Sequence, residues 1–206
     1  MLRDNKEDGF SPGSMLHLWT AQTDAVLDCI RENGFSQVKM EFIDRKYGES
    51  AWVFKEAYGF FKQRAGLLVK PPEGAESPIW LFFDRSWVYL SQDSFLLELS
   101  IPRERAVLFD REKWQKVLNL SYVGKDREDE ARFEQKMNQM GVSAYWEVFQ
   151  SPFYPYLKSE IKKSWNRIFD IDNMEQGAAV WQLRQEDVVG INSHSASEER
   201  DGFSGK

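Results

Sequence analysis

The stretch from Ile79 to Phe109, IWLFFDRSWVYLSQDSFLLELSIPRERAVLF, carries four short apolar runs, IWLFF, WVYL, FLLELSI and AVLF, parted by polar or proline-containing breaks. Short runs rich in aromatic and branched residues, bounded by such breaks, predict adjacent strands of a largely antiparallel sheet. This stretch is the expected centre of the fold.

Upstream, KPPEGAESP (Lys70 to Pro78) holds three prolines and a glycine, which disfavour helix and strand alike and predict an exposed loop. Before it, Val53, Ala57, Phe60 and Phe61 recur at helical intervals between Trp52 and Arg64, with Lys55, Glu56 and Lys62 turned away, as in an amphipathic helix. MLHLW (Met15 to Trp19) reads as a short buried strand. A helix with Ala25, Val26, Cys29 and Ile30 on one face follows it and stops at Asn33-Gly34.

Downstream, Asp110 is placed to cap a helix that carries Trp114, Val117 and Leu118 inward. Phe133, Met137 and Met140 mark a more polar helix ending at Gly141, and Ser159 is the expected cap of a helix with Ile161, Trp165, Ile168 and Phe169 on one face. Ala178 to Leu183 and Val188 to Ile191 suggest a terminal strand or hairpin returning to the sheet. The expected fold is α+β, a mainly antiparallel sheet of about five or six strands packed by several amphipathic helices. Residues 15–191 are expected to form a single globular domain, between a flexible N-terminal tail (1–14) and a disordered C-terminal tail (192–206), both rich in Ser, Gly and charge.

The chain of 206 residues is 42% hydrophobic, with 8 Trp, 7 Tyr and 15 Phe, enough apolar surface to fold unaided. Its net charge of -6 and the absence of a basic block argue against duplex nucleic acid as a partner. Lys158, Lys162, Lys163 and Arg167 gather along one helix, a set that reads as a solvated face in preference to a basic binding surface. The single cysteine, Cys29, excludes an internal disulfide and points to the cytoplasm. No apolar run approaches the roughly 20 residues of a membrane-spanning helix, and MLRDNKEDGFSPGS lacks the apolar segment of a secretory signal.

Catalytic signals are sparse. Of two histidines, His194 falls in the expected tail, so a nucleophile–histidine pair would rest on His17, which reads as a core or edge histidine of its strand. No metal site is expected, and neither phosphate-binding glycine loop is present. Glu98 in FLLELSI is the best single candidate acid, although alternation opposite Leu97 and Leu99 also suits a solvent-facing position. Trp19, Tyr58, Trp80 and Trp181, with Trp52, are candidate stacking residues, and core packing is the more ordinary use of such rings.

LWTAQ (Leu18 to Gln22), FKEAYGFFKQR (Phe54 to Arg64), PPEGAESPIW (Pro71 to Trp80), LLELSIPRERAVLFD (Leu96 to Asp110), KSWNRIFDID (Lys163 to Asp172) and AAVWQLRQEDVV (Ala178 to Val189) together resemble a bacterial family described only as a domain of unknown function. That resemblance covers nearly the whole chain between the tails and implies a cytosolic bacterial protein. The order of an opening strand and helix, a central strand pair and a late strand is more distantly similar to ADP-ribosyltransferase domains. That similarity would make NAD the cofactor, with Trp19 or Trp181 stacking the base, Thr20 and Gln22 positioning the ligand, and Glu98 or Glu175 as the acid. The chain departs from that pattern at Leu18 and in lacking a glutamate within AAVWQLR. Two readings stand: a non-catalytic binding or regulatory module for a protein or small-molecule partner, and an NAD- or nucleotide-utilising transferase.

Overall fold

The computed structural model describes residues 13–171 and 176–193. In chain order the elements are β1 (Met15–Thr23), α1 (Asp24–Asn33), β2 (Phe35–Ser36), α2 (Glu41–Tyr47), α3 (Ala51–Ala65), β3 (Ile79–Phe82), β4 (Ser94–Pro102) and β5 (Val107–Asp110). These are followed by α4 (Arg111–Leu118), α5 (Arg127–Gln139), α6 (Tyr145–Gln150), α7 (Pro155–Ser164), β6 (Gln176–Val180), β7 (Leu183–Arg184) and β8 (Val188–Ser193). Six strands form one antiparallel sheet in the order β5-β6-β3-β1-β4-β8, and β2 and β7 pair separately. The architecture is α+β.

β1 and β4 pair over their whole lengths, from Met15 opposite Pro102 to Thr23 opposite Ser94. Alternation sends Leu16, Leu18, Leu97, Leu99 and Ile101 to one face, where Ile79, Leu81, Leu183 and the α1 residues Leu27 and Ile30 close a core. Val107, Phe109 and Ala179 point the other way, into a second core with Phe61, Trp114, Ile161 and Trp165 from the helical layer. Phe109 lies across Gly177, where a Cβ would stand 2.5 Å from its ring, so only glycine admits that ring.

The sheet is curled. β4 and β5 stand fifth and first in the order, yet only residues 103–106 join them. Four strand spacings in a flat sheet would separate them by about 19 Å. The connection reaches at most about 18 Å fully extended, and part of it is a 3₁₀ turn, Arg103–Arg105. The β6-to-β8 connection makes a comparable crossing, and the two are clamped together. Arg105 donates to both carboxylate oxygens of Asp187, at 2.5 and 2.9 Å, and to the Gln182 carbonyl at 3.2 Å.

Several expectations need correction. WVYL is not a strand: Asp84 accepts from the Ser86 N–H at 2.8 Å, which turns the chain into a 3₁₀ turn at Arg85–Trp87, and the Arg111 guanidinium sits 3.8 Å over the Trp87 ring. The loop from Lys70 is exposed only in its first half, because Ala75, Ser77 and Pro78 are buried and Ser77 bridges to Val38. Ser159 caps nothing. Helix α7 starts a turn earlier at Pro155, whose missing N–H suits a first helical position. On α1 the buried residues are Leu27 and Ile30, while Ala25 is exposed. Met140 is also exposed. β6 and β8 do not form a hairpin but lie on opposite sides of β1. β1 extends through Thr23 and β8 through Ser193, beyond the segments expected.

Candidate functional site

The nominated residues fall in separate places. Trp19 stands opposite Glu98 on neighbouring strands; His17 Nε2 donates to Glu98 Oε1 over 2.6 Å, and the His17 ring meets Trp19 edge-on at 4.3 Å. A Cβ on Gly190 would lie 3.0 Å from Glu98 Oε2. This cluster lies partly open on one face of the sheet. Thr20 points to the opposite face, is buried, and donates to the Trp80 carbonyl at 3.1 Å while accepting from Gln22 Nε2 at 3.0 Å. Both polar side chains therefore serve the fold's own hydrogen bonds.

Trp80 packs among Phe61, Phe109 and Trp114, with ring centroids 4.8 to 5.5 Å apart, and Tyr58 meets it edge-on at 5.3 Å. Burial, with the adjacent Tyr47 phenol, pushes the Tyr58 hydroxyl up to about 12, the Trp80 side chain opposing the shift. Trp181 is buried in the same core and donates its indole N–H to the Val69 carbonyl at 2.7 Å. Glu175 lies outside the described residues, as does His194. Among the described residues no three His, Cys, Asp or Glu side chains gather as a metal site would require.

A different place on the surface has the shape of a site. Helix α3 lies beside α7 and the turn that follows it: Glu56 pairs with Lys162 at 2.6 Å and Lys158 at 3.4 Å, and Phe60 meets Trp165, just past the end of α7, edge-on at 5.3 Å. The open groove between them has a volume of about 890 Å³. Trp52, Phe60 and Pro155 give it apolar surface, and Gly59 opens one wall. Among the described residues five cations line it, Lys55, Arg64, Lys158, Lys162 and Lys163, against the single carboxylate of Glu56.

Burial alone would raise the Glu56 carboxyl. The hydrogen bond from Lys162 and the charges of Lys162 and Lys158 outweigh that effect, and the carboxyl is held below its ordinary value. Lys158 also lies 5.0 Å over the Phe149 ring, and Lys55 pairs with Asp44 at 2.5 Å. Arg64 and Lys163 make no ion pair with another described residue. Arg167, in the 3₁₀ turn after α7, leaves the group and donates to the Val123 carbonyl.

Residues 17–189 match the family model described as Domain of unknown function (DUF3841). The chain belongs to this family. No curated protein and no solved structure matches it. In this DUF3841 member no helix among the described residues is long and apolar enough to cross a membrane. The lysines of α7 stand out as a cluster in the sequence, but nothing there links them to Trp52, Glu56 and Gly59, about a hundred residues earlier. The helical spacing of Trp52, Gly59 and Gln63 along one stripe of α3 is the signal that marks the facing wall.

Proposed function

We propose that this chain is a non-catalytic binding module that takes an anionic ligand in the groove between α3 and α7. The observation that carries this reading is five cations facing one carboxylate, in a concave site, on a chain whose formal net charge is -6. Concave walls of low polarity focus such a field and raise the local concentration of anions. The volume falls within the range of small-molecule sites. The bacterial cytoplasm is the setting that suits the family resemblance and the lone thiol of Cys29.

The alternative, an NAD- or nucleotide-utilising transferase built on Trp19, Thr20, Gln22 and Glu98 or Glu175, draws on residues spread over both faces of the sheet. Thr20 and Gln22 are also occupied with each other and with Trp80. That scatter supports the module over the transferase.

Inorganic tripolyphosphate tests the groove. At about 100 times its dissociation constant it should stabilise the folded chain by roughly 2.7 kcal/mol, seen as a rise in melting temperature. In the double variant K162E/K163E that rise should vanish. No rise in the parent chain, or an equal rise in the variant, would overturn the reading.

A further inference from the structure

Gly59 sits in the interior of α3, where glycine weakens a helix relative to alanine. No packing demand from the described residues explains it, because a Cβ there would meet none of them within 4 Å. The same helix uses alanine where space is short: Ala51, Ala57 and Ala65 are all buried. Gly59 therefore leaves a notch in the groove wall that none of the described residues fills.

Trp52 lies seven residues before Gly59 on the same stripe of α3 and makes no ring contact with another described residue. On the facing wall, Lys158 and Lys162 are one helical turn apart, with Lys163 beside them. The groove thus combines a half-buried tryptophan that packs on the second core and also lines the groove, a row of cations, and a glycine where the helix backbone is uncovered.

Resting on the anion-groove reading, we propose that the ligand is a nucleotide, its base stacked on Trp52, its phosphates held by Lys158, Lys162 and Lys163, and Gly59 admitting it against α3. Aromatic rings beside a cationic track are the recurring means of holding bases and phosphates together. Glu56 keeps the two lysines in place until phosphate replaces it as their partner. The same chemistry could come from a free nucleotide or from one unit of a single strand.

The test uses the full chain and titration calorimetry with tripolyphosphate, ATP, a trinucleotide of adenylates and a glutamate-rich peptide at one ionic strength. ATP or the trinucleotide should bind at least tenfold tighter than tripolyphosphate; whichever binds tighter names the source, and either supports the proposal. Trp52→Leu should remove that excess while leaving tripolyphosphate binding in place. Gly59→Ala should raise the melting temperature yet weaken nucleotide binding at least tenfold, a pairing that a merely structural glycine would not give. Nucleotides or the peptide binding only as tightly as tripolyphosphate would overturn this proposal and leave the anion groove standing. So would a Gly59→Ala chain that melts higher and binds unchanged. If no probe binds, both readings fall together.

Discussion

Asp187 is 1% exposed and has its carboxylate divided between the Arg105 guanidinium and the Arg184 N–H, the latter at 2.8 Å. Removing one partner of a buried pair leaves the other charge uncompensated, which typically costs about 3–5 kcal/mol. Asp187→Ala should lose stability of that order in urea unfolding, and a loss under about 1 kcal/mol would show that the crossing connections hold without the clamp. Tyr58 makes a pH-dependent contribution. Its folded pKa, about 12, lies above the ordinary 10.0, so its contribution is fully present below pH 10 and lost as pH rises through 12. Two pKa units correspond to about 2.7 kcal/mol. Stability measured against pH should fall less steeply over that window in Tyr58→Phe than in the parent chain; parallel curves would contradict the assignment.

At the scale of the element, Asp110 joins β5 to α4, accepting from the Lys113 N–H at 2.9 Å as the helix cap. Asp110→Ala should cost about 1–2 kcal/mol as a lost cap, with Asp110→Asn, which retains an accepting oxygen, costing less. Equal losses would place the effect in the charge, which also faces Lys113 Nζ at 3.2 Å. This cap was legible because Asp110 directly precedes an apolar stripe at helical spacing. β3, β4 and β5 were legible because each falls in a short apolar run bounded by polar or proline-containing breaks. WVYL carries an equal hydrophobic signal, yet the Asp84 turn before it and the cation over Trp87 decide its conformation, and neither partner is apparent from the run itself. Helices α2 and α6 have seven and six residues, too few for a helical period to declare itself, and the two-residue strands β2 and β7 have no period at all.

For the whole molecule, the order of strands could not be read from runs alone. It depends on which strands cross the curled sheet, and that is enforced by short connections and by the Arg105–Asp187 pair between residues far apart in sequence. The groove was half legible for a similar reason. A row of lysines on one helix resembles any solvated face until a second helix with a tryptophan, a carboxylate and an unfilled glycine lies alongside. Once α3 supplies that wall, the same charges become a concave cationic field in an otherwise acidic chain. The most direct measurement is a calorimetric titration of tripolyphosphate into the parent chain and into K162E/K163E at low and moderate salt. The account predicts one site per chain, weakened by salt and absent from the variant. Binding that persists undiminished in the variant, or no binding to the parent chain, would contradict it.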